Sequence, residues 1–124
     1  MQKNVIYPHF FANYRWKVFE IAALEAELSA IRRQIDEGLA SRETYDPDWE
    51  KSLTAELDAA KEYVKRVEAL VSSIPETQQL LPCKLFLRLH ELSGYNLTET
   101  ATMMNVSLST LRRIRDRCAD YFNG

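Results

Sequence analysis

Residues 96–118, NLTETATMMNVSLSTLRRIRDRC, decide how this chain is read. Ala101 is a small residue. Asn105 follows four positions on, then Val106, and Leu111 and Ile114 lie five and eight positions beyond Val106. Thr98 can N-cap a short helix that runs to about Met104. Ala101, in its middle, lets a second helix approach closely. Asn105 suits the turn, because asparagine tolerates positive φ better than any other non-glycine residue. Val106 plugs the turn and Ser107 can N-cap the next helix. From there Leu111, Ile114 and Cys118 share one face, extended by Tyr121 and Phe122. Ser109, Arg112, Arg113, Asp116 and Arg117 share the other, with Thr110 at its margin. A single amphipathic helix does not fit, since Asn105, Val106 and Ser107 break the period. The spacing is the steric signature of a helix-turn-helix.

The charge distribution points the same way. Net charge is −2 over 124 residues, so the chain as a whole is no polycation. Residues 1–82 hold ten Lys/Arg against fourteen Asp/Glu, and residues 83–124 hold six against four. Residues 107–118 carry four arginines and one aspartate. Positive charge is therefore concentrated on one short segment, which is what a nucleic-acid footprint needs.

Upstream, the chain reads as helix. It has three glycines and four prolines, few breakers for its length. From about Phe10 to Glu37, Tyr14, Ile21, Leu28 and Ile35 recur every seven residues, with Leu24 and Ile31 as a companion series that Lys17 interrupts. Gly38 stands where a C-cap glycine belongs. Residues 38–47 read as a loop. A second helix starts near Asp46 or Asp48, with Pro47 in its first turn. Leu57, Val64 and Val71 form one heptad series there, and Leu53, Ala60, Val67 and Ile74 the other. Two such helices most simply fold back as an antiparallel hairpin. Its narrow seam invites a third partner, either the rest of the chain or a second copy. Pro75 and Pro82 bracket a connector. Pro82 opens the next helix, with Leu85, Leu89 and Leu92, helped by Phe86, as its apolar stripe, and Gly94 ends it.

Other chemistry is not written here. Cys83 and Cys118 show no CxxC or metal spacing, which suits a reduced, cytoplasmic chain. Cys118 continues the Leu111–Ile114 stripe as core. Cys83, near a helix start, could have a lowered pKa. His9 and His90 have no ligand partners at helical spacing. No Gly-rich phosphate loop or Ser/His/Asp arrangement occurs, so no enzyme, no cofactor and no metal are expected. No apolar run reaches membrane-spanning length, and residues 1–11 lack a signal-peptide core. The Asn96 and Asn105 glycosylation triplets are read as chance matches. Tyr7, Phe10, Phe11, Tyr14 and Trp16 could stack on bases, but such a group more often anchors a helix to a core or partner.

Residues 85–122, LFLRLHELSGYNLTETATMMNVSLSTLRRIRDRCADYF, resemble the region-4 helix-turn-helix of sigma-70-type factors. Thr98, Ala101, Asn105, Val106, Ser107, Thr110, Leu111 and Arg117 occupy that pattern's places. Thr100 and Asn105 stand where the pattern usually has Ile and Gly. The helical region ahead of this module also resembles small phage regulators of the ArpU/RinA type. The resemblance covers about 40 residues closely and the first 75 by architecture only. It implies a bacterial or phage transcriptional regulator.

The expectation is an all-α protein in two domains. Residues 1–75 form a long, coiled-coil-like antiparallel hairpin for oligomerisation or partner binding. Residues 76–124 form a helix-turn-helix bundle with a recognition helix at about 108–122. The expected function is sequence-specific binding of double-stranded DNA to regulate transcription, as a homodimer. Ser109, Arg112 and Arg113 are expected at base edges. Thr110, Arg117 and either Lys84 or Arg88 are expected at phosphates. The alternatives are a phage DNA-packaging recognition subunit of small-terminase type and a helical adaptor for RNA polymerase or another protein.

Overall fold

A computed structural model describes residues 9–38 and 47–123. Every regular element among them is helical: a 3-10 turn His9–Phe11, α1 (Tyr14–Asp36), α2 (Pro47–Ser72), α3 (Leu81–Phe86), α4 (Leu97–Met104) and α5 (Leu108–Asn123). The turns that follow α3, Leu87–Leu92, widen to π-helical form. None of the described helices is long and apolar enough to cross a membrane. The loop expected over residues 38–47 lies, apart from its two ends, outside the described residues, as does Tyr7.

The chain divides into two compact units, Trp16–Val64 and Met1–Arg15 with Lys65–Gly124. In the first, Leu24, Leu28 and Ile31 of α1 form one buried cluster with Leu53 and Leu57 of α2, and Ile21 and Ile35 pack against it. Arg32 pairs with Glu50 and Lys61 with Glu25. Numbers rise along one helix as they fall along the other, so the two helices run antiparallel. Within this unit the seam residues Leu24, Leu28 and Ile31 of α1 thus face Leu53 and Leu57 of α2. At the end of α1, Gly38 takes φ +71 and donates to the Ile35 carbonyl at 3.1 Å, closing the helix as a C-cap glycine does. Asp48 and Glu50 sit in the first turn of α2, where the helix dipole favours negative charge.

The second unit gathers residues from both sides of the Pro75–Pro82 connector. Its core holds Phe11, Val67, Val71, Ile74, Cys83, Phe86, Leu87, Leu111, Cys118 and Phe122, all at most 4% exposed. Each large side chain buried this fully is worth about 1.5–3 kcal/mol. The Phe11 and Phe122 rings meet edge-on with centroids 5.4 Å apart. Arg66 lies over the Phe10 ring, and Tyr14 is hydrogen-bonded to Glu68. The N-terminal aromatics therefore serve as anchors, with one correction. Trp16 is 72% exposed and anchors nothing in its own unit.

The apolar stripe expected on the helix after Pro82 also needs correcting. Leu85 points outward, and Leu89 and Leu92 are half-buried. The buried face is Cys83, Phe86 and Leu87, which lie three and four residues apart. Beyond Leu87 the ladder changes step: the Ser93 amide donates to the Arg88 carbonyl, five residues back. Each wider turn rotates later residues away from the α-helical register, so a stripe drawn at 3.6 residues per turn drifts off the core.

Candidate nucleic-acid interface

α4 is N-capped by Asn96, two residues before the expected Thr98 cap. The Asn96 side chain accepts from the Glu99 amide at 2.8 Å, and Glu99 Oε1 accepts from the Asn96 amide at 3.0 Å. This reciprocal capping box satisfies two amides that a helix start leaves unpaired, which one hydroxyl at Thr98 would not do. The N-x-x-E spacing was available in the sequence as its signal. Thr100 is fully buried and donates its hydroxyl to the Asn96 carbonyl at 2.8 Å. The polar group standing where the sigma pattern has Ile is thereby satisfied. Ala101 is buried beside it, and α4 packs against α5.

The turn is tight. Asn105 adopts φ 58, ψ 45, the left-handed conformation. Its amide donates to the Thr102 carbonyl at 3.1 Å, and the Val106 amide donates to the Ala101 carbonyl at 3.0 Å. Both bonds occupy carbonyls that the end of α4 would otherwise leave open. Ser107 then caps α5: its Oγ accepts from the Thr110 amide at 3.1 Å and donates to Thr110 Oγ1 at 3.0 Å.

Leu111, Ile114, Cys118 and Phe122 form the buried stripe of α5, packed chiefly on α3. Ser109, Arg112, Arg113, Asp116 and Arg117 are exposed, and Thr110 is half-buried. Arg115, on the edge of the buried stripe, is half-buried and lies 3.9 Å from Asp116. Arg117 Nη1 donates to the Gln79 carbonyl at 3.3 Å, which ties its guanidinium to the turn before α3. Arg88 is exposed.

Lys84 is placed differently from the phosphate-contact expectation. It is only 5% exposed, and its ammonium donates to the Ser72 carbonyl at 3.1 Å and meets Glu76 Oε1 at 3.2 Å. The Pro75–Pro82 connector wraps around this side chain, so its charge is answered inside the unit. Sequence reading missed this because a lysine gives no local sign of burial.

Cys83 and Cys118 meet between α3 and α5. Cys118 Sγ lies 3.6 Å from the Cys83 carbonyl, and Cys83 Sγ lies 3.7 Å from the Ile114 carbonyl. The bond to Cys83 and burial hold the Cys118 thiol protonated, far above its ordinary range. Cys83 is the member held lower, by the Cys118 thiol and then the Arg117 charge, against the effect of burial. The direction is the expected one, with the Cys118 thiol as its largest cause. Both thiols are core groups with no access to solvent. His90 is engaged as well: Nδ1 lies 2.7 Å from the Tyr95 carbonyl and the ring stacks on Phe86.

The exposed side of α5 carries the hydrogen-bond donors Ser109, Arg112, Arg113 and Arg117, and the described residues include no cluster that could hold a metal. The net charge of this side is positive, which favours an anionic partner. No family model matches the chain, and no significant similarity was found to any curated protein or solved structure.

Proposed function

We propose that α4 and α5 form a DNA-binding helix-turn-helix, and that the chain is a sequence-specific transcriptional regulator acting as a homodimer. One observation carries this reading. The left-handed Asn105 turn holds α5 against the bundle by its apolar stripe and leaves Ser109, Arg112, Arg113 and Arg117 exposed along one side. The N-terminal part of a recognition helix enters the major groove. Ser109, Arg112 and Arg113 lie in its first two turns and read base edges, where each guanidinium can grip guanine O6 and N7 together. Thr110, Arg117 and Arg88 hold phosphates. Lys84 supports the fold and is not among them. The α1–α2 hairpin is the other half of the architecture and serves assembly or partner binding.

The test is selection from a random duplex pool, followed by affinity measurements on the selected and a scrambled duplex across a salt series. Arg112→Ala and Arg113→Ala should narrow the gap between the two duplexes, each by about 1–3 kcal/mol. Arg117→Ala should weaken both alike and reduce the log–log salt slope by about 0.9. Equal losses on both duplexes for all three variants would remove the reading role from α5. Failure to bind any duplex at low salt would remove the function itself.

A further inference from the structure

We infer that Leu108 reads the 5-methyl group of a thymine in the major groove, beside the guanine gripped by Arg112. This rests on the DNA-binding reading above and adds to it the base that the first turn of α5 selects. The other large aliphatic side chains of α5, Leu111 and Ile114, are buried. Leu108 is the exception. It is 37% exposed at the first position of the helix, one residue after the Ser107 cap. The fully buried stripe of α5 begins only at Leu111. The sequence neighbours of Leu108, Ser107 and Ser109, are exposed polar residues, so the local surface is otherwise wet. At the end of a helix that enters a groove, an apolar side chain meets one apolar feature of the base edges, the thymine methyl.

Arg112 lies four residues on, on the same side of the helix and also exposed. One helical turn advances about 5.4 Å, and one base pair about 3.4 Å. Leu108 and Arg112 therefore address positions one to two base pairs apart. The geometry assigns α5 a thymine close to the guanine that Arg112 selects. Met103, at the end of α4 and 53% exposed, is another aliphatic side chain near the turn, and more exposed than Met104 or Val106. It precedes the turn, off the helix that would lie in the groove, which makes it the natural control.

The experiment uses the full chain and the duplex selected from the random pool. Each thymine is replaced in turn by deoxyuridine, which removes one methyl and leaves every hydrogen-bonding group in place. A buried methyl contact is worth about fourfold in affinity. The wild-type chain should lose about fourfold at one thymine per half-site, one or two base pairs from the base pair whose change is felt through Arg112. Leu108→Ala should bind the thymine and deoxyuridine duplexes equally. Met103→Ala should retain the difference. The inference falls if no thymine is sensitive, if the sensitivity survives Leu108→Ala, or if it moves with Met103→Ala. In each of those cases the regulator reading stands, because a selected duplex is still bound. If no duplex is bound at all, both fall together.

Discussion

The Arg15 guanidinium occupies the space that a side chain on Gly94 would need, and its Nη1 donates to the neighbouring Ser93 carbonyl at 2.8 Å. Gly94 also holds φ +80, so two separate demands exclude a Cβ there. The start of α1 is thus fastened to the turn that ends the π-helical segment, 78 residues away in sequence. Gly94→Ala should cost about 1–2 kcal/mol from backbone strain, plus about 0.5–1.5 kcal/mol from the displaced hydrogen bond. Arg15→Ala should cost only the second part. In a double-mutant cycle by urea denaturation, the two losses should therefore be less than additive. Strict additivity would mean that the contact contributes nothing.

Asn105 sets a sharper test of the turn. At φ 58 a glycine fits without strain, whereas a β-branched residue is strained by about 1–2 kcal/mol. Asn105→Gly should keep the melting temperature within a few degrees, and Asn105→Val should lower it clearly. Equal melting of the two variants would contradict a left-handed residue at this position.

Lys84 separates folding from binding. Its ammonium is buried and bonded to Ser72 and Glu76. Lys84→Met keeps the aliphatic stem but leaves the Ser72 carbonyl without its donor, at a cost of about 1–3 kcal/mol. The same variant should leave the salt slope of duplex binding unchanged. A slope reduced by about 0.9 would place Lys84 at a phosphate after all.

Tyr14 predicts a pH dependence. Burial, then the Glu68 carboxylate beside it, raises its hydroxyl above the ordinary value of 10.0. Above that value the unfolded chain gives up this proton before the folded chain does. The folded state then binds more protons, so stability must fall as pH rises. Between pH 9 and 11 the wild type should lose more stability than Tyr14→Phe, measured by denaturant titration. Identical slopes would mean that the Tyr14–Glu68 bond does not persist in solution.

Leu28 tests what the heptad seam is for. It is buried against α2 in a cluster with Leu53 and Leu57. Leu28→Asp places an unpaired charge there, costing several kcal/mol. The expected result is loss of helical circular dichroism from the Trp16–Val64 unit. Helical monomers released from a dimer would instead show that the seam is an interface between copies.

Periodicity alone was enough for the two long helices, α1 and α2. Seven-residue recurrence of Tyr14, Ile21, Leu28 and Ile35 writes a long amphipathic helix because helix formation is local and its face repeats every 3.6 residues. The Asn105 turn was legible for the same reason: φ > 0 is a property of single residues, and asparagine accepts it. The exposed side of α5 followed from its buried side, since one stripe facing inward leaves the others outward. What required the tertiary structure was every pairing distant in sequence. Burial of Lys84 depends on where residues 72–76 pass, the clasp of Arg15 on Gly94 joins the start of α1 to the turn before α4, and Cys83 meets Cys118 only because α3 packs on α5. The π-helical step after Leu87, which turned Leu89 and Leu92 partly off the core, likewise leaves no mark in local composition. Such contacts are chosen by how whole surfaces fit, and no short window of sequence contains both partners.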